Sequence, residues 1–292
     1  MKTEEKKNED SQNRKGSGIS ENRKKNLSER NERYRKILKN MTIMDDIFMR
    51  NVFKEQKCTE YVLRIIMQQK DLQVTDQTLQ ADYKNLHGRS AILDCVAQDQ
   101  KGQLINLEIQ QDNEGATPKR ARYHSSLLDA NALDPGDKHE KLPKHWVIFI
   151  TKGDPLGHKL PIYHVNRKIE EIDEAFADET HMIYVNSQCQ EDTELGRLMH
   201  DLHCKDAKDM YSGVLADRVR KLKETEKGVM EMCQAMEELY HDGYSEGVEV
   251  GEERRTKKIA LSLAGMHMSV EDIARAVEMS IETVQEWIGQ LA

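Results

Sequence analysis

The sequence predicts an α/β protein: a mixed sheet flanked by helices, with an α-helical C-terminal extension. Three observations carry that expectation. Residues Ile92–Gln110 make two strand-length runs around a turn, and His145–Thr151 is a continuous apolar run of strand length with one helical stretch before it. From Glu194 onward the periodicity is helical.

The hairpin decides where the candidate acidic residues lie. Ile105, Leu107 and Ile109 alternate with Asn106, Glu108 and Gln110, so the second run has one apolar and one polar face. A three-residue loop of Gln100, Lys101 and Gly102, with Gly102 left-handed, sets Asp99 opposite Gln103. That register puts Asp94 opposite Glu108 on the polar face. A two-residue loop would pair Asp94 with Leu107 and place a carboxylate on the apolar face. Two facing carboxylates repel unless a cation lies between them. A hard divalent ion such as Mg²⁺ suits oxygen ligands of this kind, making Asp94 and Glu108 the candidate metal ligands. The alternative is a solvated polar face on an edge hairpin.

Residues 1–28 carry almost no apolar side chains and are expected to be disordered. Glu29–Lys39 suits an exposed helix. Met41–Gln69 repeats apolar residues at i, i+4 and predicts two amphipathic helices, or one broken near Lys57. Asp45 and Asp46 open the first of them, where a carboxylate ordinarily serves the helix N-terminus. Residues 71–90 are polar and read as irregular. Thr117 and Pro118 supply an N-cap and first helical position for Pro118–Leu128. That helix places Arg120 and His124 on one line and Arg122 and Ser126 on another. Further strands are expected at Pro161–Val165 and His181–Asn186.

In the helical half, His200, His203 and Cys204 have spacing that offers zinc ligands, although such residues often simply pack. Gly243, Gly247 and Gly251 recur every four residues, giving a bare helical ridge or a linker. Ser269 and Asp272 open a helix at Val270–Val277, and Ile281–Leu291 comes after a turn, which is helix-turn-helix spacing. The second of these helices carries Glu282 and Glu286 and no Arg or Lys, so packing or oligomerisation suits it better than base reading. The expected organisation is a basic disordered tail (1–40), a core domain (41–240), a Gly-rich helical linker (241–256) and a small helical module (257–292).

Composition narrows the class. No apolar run reaches membrane-spanning length, and the charged N-terminus shows no secretory signal. Five scattered cysteines without a C-x-x-C suggest free thiols and a cytoplasmic setting. The net charge of −8 argues against a generic nucleic-acid binder, but it is uneven. Residues 1–40 hold 13 Lys/Arg against 7 Asp/Glu, leaving the remainder at −14. A basic arm suits a phosphate backbone while an acidic site suits a metal; a solubilising tail is the plain alternative.

Three motifs together resemble the PD-(D/E)XK nuclease superfamily, and within it the Rpn group of recombination-promoting nucleases, also described as PD-(D/E)XK nuclease family transposases. They are the acidic helix Asp45-Asp46-Ile47-Phe48, Asp94 with Asn106-Leu107-Glu108-Ile109-Gln110, and Arg120-Ala121-Arg122-Tyr123-His124-Ser125 before an apolar strand. The resemblance spans about residues 41–240. It implies a restriction-endonuclease-like core and metal-dependent hydrolysis of DNA phosphodiesters in recombination or on mobile DNA. Asp94 and Glu108 would hold Mg²⁺, with Mn²⁺ as a substitute, and Asp45 would add a carboxylate. Gln110 stands where the wider superfamily has Lys. It can orient water but supplies no charge, which leaves Arg120 and Arg122 as candidates for phosphate contacts. Catalytic residues are thus Asp94, Glu108, Gln110 and Asp45, and the partner is DNA, with a homo-oligomer through the C-terminal helices. The competing expectation is a silent relative that keeps the fold as a DNA-binding or oligomeric scaffold.

Overall fold

The computed structural model describes residues 29–84 and 90–290. Two compact units divide at Cys233 and Gln234. Residues 1–28, expected to be disordered, lie outside the described residues.

The first unit opens on α1 (29–40), which is not simply exposed: Tyr34 and Leu38 are buried. The expected 1–40 tail therefore ends in a packed helix. Next come α2 (Asp46–Phe53) and α3 (Gln56–Ile66), separated at Lys54–Glu55 rather than at Lys57. Residues 71–90, read as irregular, contain a ten-residue strand, β1 (Val74–Tyr83). Its alternation is masked by a bulge between Val74 and Asp76 and by Gln80, which sits at φ 52°.

The hairpin β2 (Ala91–Asp99) and β3 (Leu104–Gln110) has the register set by the three-residue loop. Cys95 faces Leu107, Ala97 faces Ile105, and the Asp99 N–H donates to the Gln103 carbonyl. Gly102 is left-handed at φ +76°, and Asp99 Oδ1 accepts the Lys101 and Gln103 N–H groups to close the turn. A 3-10 turn then leads to α4 (Pro118–Ala130), whose Thr117 side chain accepts the Arg120 N–H. The chain returns through β4 (His145–Thr151), β5 (Ile162–Val165), the small ribbon β6 (Lys168–Ile169) and β7 (Glu174–Ala175), and β8 (Thr180–Asn186).

The main sheet has six strands in the order β1-β2-β3-β4-β8-β5. β3, β4 and β8 run parallel and the outer pairings are antiparallel, as expected of a mixed sheet. The α4 crossover is what allows β3 and β4 to run parallel. β3 is therefore central. Ile105 through Ile109 are all buried, which rules out the solvated edge hairpin. On one face α4 packs Ala121 and Leu128 against Val96, Val147 and Phe149. On the other, α2 and α3 lie against β1 and β2. α5 (Glu194–His203) and α6 (Gly213–Glu224) pack against α3. Lys223 fastens these layers: its ammonium donates to the carbonyls of Met41 and Lys205, 5.0 Å from the centre of the Phe48 ring.

α7 (Glu226–Gly265) starts in the first unit and continues as the first helix of the second. There α8 (Val270–Ala276) and α9 (Ile281–Gly289) close a small core of Ala260, Ile273, Ala274, Val284 and Trp287. Ser269 caps α8 and Ser280 caps α9 through the N–H groups of Asp272 and Thr283. The expected linker is thus continuous helix, even though each of its three glycines costs about 1 kcal/mol against alanine.

Candidate active site

Past Cys95 and Leu107 the β2–β3 ladder stops, although β2 continues to pair with β1 as far as Ala91. The two strands part, and carboxylates take over the vacated backbone donors. The Asp94 N–H donates to Glu108 Oε1 at 3.2 Å, and the Ile109 N–H donates to Asp94 Oδ2 at 3.2 Å. The structure thus brings Asp94 and Glu108 together, each held by the other strand.

Glu108 is fully buried beneath α4. The Arg120 and His124 line faces it. His124 Nδ1 lies 3.4 Å from Glu108 Oε1, and Arg120 reaches Oε2 at 4.0 Å from a partly exposed position. The Arg120 Nε–H donates to His124 Nε2 at 3.3 Å. That assigns the proton of a neutral ring to Nδ1, where it points at Glu108. The Asn106 amide lies 3.3 Å from the same Nδ1, and its Oδ1 lacks a partner among the described residues. Phe149, opposite Glu108 in the parallel register, closes the apolar side 5.7 Å from the His124 ring.

Burial raises the Asp94 carboxyl to about 7, helped by the negative charges of Glu108 and Asp46; the Ile109 N–H and Gln80 Nε2 (3.4 Å from Oδ1) act in the opposite sense. The two acids at the start of α2 therefore differ. Asp46 is the one whose charge reaches Asp94, while also pairing with Arg50 across one turn. Asp45 accepts the Thr42 N–H at 2.7 Å and Gln111 Nε2 at 2.9 Å, so its contacts tie the start of α2 to the end of β3.

Gln110 Nε2 lies 3.4 Å from Glu108 Oε2. Its side chain rests on Gly115, where an added Cβ would sit 2.3 Å from Gln110 Oε1. Gly115→Ala is expected to swing Gln110 away from Glu108 at little cost in stability, since the displaced atom ends a flexible side chain. An unchanged melting temperature would check the second half of that expectation. Arg122 is exposed on the other line of α4.

The zinc expectation divides differently. His203 turns to Ser187 Oγ at 2.9 Å, so His200, His203 and Cys204 do not form one site. His200 and Cys204 converge instead with Asp201, whose oxygens accept the Tyr211 and Ser212 N–H groups and pin the following loop. Nearby, Ser125 Oγ lies 2.8 Å from His145 Nε2, and His145 Nδ1 lies 3.3 Å from Asp129. The spacing is that of a nucleophile triad, but Ser125 and His145 are buried, and the trio serves to anchor α4 on β4. His124 and this trio were absent from the sequence-based site. The i, i+4 line of Arg120 and His124 held the signal for the first; the second joins residues 20 apart.

Facing carboxylates at a parted antiparallel pair, beside parallel strands joined by a helix, define a PD-(D/E)XK-type nuclease core. The chain matches the model of the PD-(D/E)XK nuclease family transposases over residues 47–195 and belongs to that family. No curated protein and no solved structure matches it. Membership implies a nuclease- or transposase-related role with DNA as the substrate, in a family that usually uses divalent metals. No helix among the described residues is long and apolar enough to cross a membrane.

Proposed function

We propose that the protein is a metal-dependent DNA endonuclease that hydrolyses phosphodiester bonds through the Asp94–Glu108 pair, acting in recombination or on mobile DNA. The observation that carries this reading is the parted β2–β3 pair. It sets two carboxylates face to face in a desolvated site and leaves Asp94 with an affinity for protons well above that of an ordinary Asp. A site that so disfavours two bare negative charges fits a hard cation, and Mg²⁺ takes one or two carboxylates while keeping several waters. Such an ion, when bound, activates water and neutralises charge at a phosphate.

The chain's own side chains do the rest. His124 and the Asp94 N–H hold Glu108 in one orientation. Gln110, in place of the wider superfamily's Lys, orients water by hydrogen bonds without adding charge. Arg120 supplies the positive charge beside the pair and, with Arg122, contacts the DNA backbone. At the start of α2, Asp46 acts on the pair through its charge, and Asp45 sets the position of the helix through Thr42 and Gln111.

Plasmid nicking with Mg²⁺ or Mn²⁺ tests the proposal, with Glu108→Ala beside wild type. Metal-dependent nicking that disappears in the variant is the expected result. Folded wild-type protein that binds DNA but cleaves no form of it would favour the silent scaffold, and equal cleavage by both proteins would place the chemistry elsewhere.

A further inference from the structure

Residues 238–255 of α7 are exposed without a break, a helix about 27 Å long. α8 and α9 build their core on the last part of α7, around Ala260 and Leu263, and leave this stretch outside it. A helix in a protein gains most of its stability by packing an amphipathic face, which this stretch does not do among the described residues, and three glycines weaken it further. Nothing lies within 4 Å of where a Cβ would project from Gly243, Gly247 or Gly251, so no intramolecular close approach explains them.

At about 100° per residue, Tyr240, Tyr244 and Val248 fall on the same face as these glycines. The tyrosines are 51 % and 62 % exposed, and their rings stack at 6.2 Å. Asp242, Glu246, Glu249, Glu252 and Glu253 occupy the opposite face. Arg254, Arg255 and Lys258 continue the aromatic face toward the C-terminal end, and Glu237 lies at its N-terminal end.

We propose that this face binds the same face of a second copy of the chain, with the two helices antiparallel. Charge selects the direction. A parallel pair in register would bring Arg254, Arg255 and Lys258 against their own copies, and like charges repel. An antiparallel pair centred between Ser245 and Glu246 separates the two basic ends and sets Arg254 beside the Glu237–His241 pair of the second copy. Shape agrees with the same register. Tyr240 lies opposite Gly251, Tyr244 opposite Gly247, and Val248 opposite Gly243, so every large side chain meets a position without a Cβ. The glycines that weaken the single helix are what allow the rings to seat, and Arg255 is carried near the second copy's Tyr240, a favourable cation–π arrangement. This inference is independent of catalysis.

The test uses the full chain. Sedimentation over a concentration series should show a dimer for wild type. Gly247→Leu, which removes the space opposite Tyr244 but raises helix propensity, should weaken association at least tenfold without loss of helical circular dichroism. A spin label at Thr256→Cys should report a separation of about 30 Å in an antiparallel dimer and well under about 20 Å in a parallel one. A monomer at all concentrations would overturn the proposal, as would a dimer indifferent to Gly247→Leu or one with the short label distance.

Discussion

Asp94→Asn is expected to make the metal-free protein more stable at pH 8, by up to about 4 kcal/mol, while removing metal binding and cleavage. The Asp94 carboxyl has a folded-state pKa of about 7 against an ordinary 3.8. The folded protein therefore binds the proton more tightly than the unfolded chain. Its stabilising contribution is fully present below about pH 4 and is lost as pH rises through 7. Asparagine mimics the protonated form at every pH, so the variant should match wild type near pH 4 and exceed it at pH 8. Urea denaturation at the two pH values reads the difference. Mg²⁺ should reverse the order. A ligating carboxylate must first lose its proton, so the ion should stabilise wild type at pH 8 far more than at pH 4, and the variant at neither. A variant less stable than wild type at pH 8 would mean that Asp94 is held by contacts stronger than its repulsion from Glu108. On the proposed reading, the raised pKa and the metal role are two consequences of one placement, because facing carboxylates repel each other without a cation.

The register of that site was legible in the sequence because few side chains decide it. Gly102 fixes the loop, and the apolar alternation of Ile105, Leu107 and Ile109 excludes the alternative pairing. The burial of Glu108 was not legible. An alternating strand is the usual mark of one wet face, and here the wet face is covered by α4, whose His124 and Arg120 satisfy the polar residues beneath it. β1 escaped notice for the opposite reason. As an edge strand it needs little apolar surface, and its Gln, Asp and Thr residues, bulge and left-handed Gln80 break the period that would reveal it. Asp45 and Asp46 differ by about 100° of helix rotation. Only packing decides which faces Asp94, because α2 is oriented by Phe48, Val52 and Phe53 in the core.

Glu108 tests the site from its other side, and two substitutions separate its chemical role from its structural one. Glu108→Gln keeps a carbonyl oxygen for the Asp94 N–H and for His124 Nδ1–H, and Gln110 can turn its own carbonyl toward the new amide. It also removes the like charge beside Asp94, so the variant should be at least as stable as wild type without metal. Glu108→Ala leaves the same two donors buried without a partner and opens space under α4. It should be about 2–3 kcal/mol less stable than Glu108→Gln. Both should lose at least ~10²-fold in metal-dependent cleavage, since altering even a residue that only supports a metal ligand costs ~10–100-fold. Equal inactivity with unequal stability separates loss of a ligand from loss of a fold. If Glu108→Gln instead cleaved as wild type does, Glu108 would be a structural acid whose work is to hold His124 and Arg120, and the negative charge required for metal binding would have to come from Asp94 and Asp46. The same pair of variants also reports on α4. Glu108→Ala removes the contacts to both His124 and Arg120, whereas Glu108→Gln keeps the His124 contact through its carbonyl and turns its NH2 toward Arg120, so duplex binding should change in both variants and more in Glu108→Ala. Fluorescence anisotropy with a labelled duplex in EDTA distinguishes the two without requiring turnover.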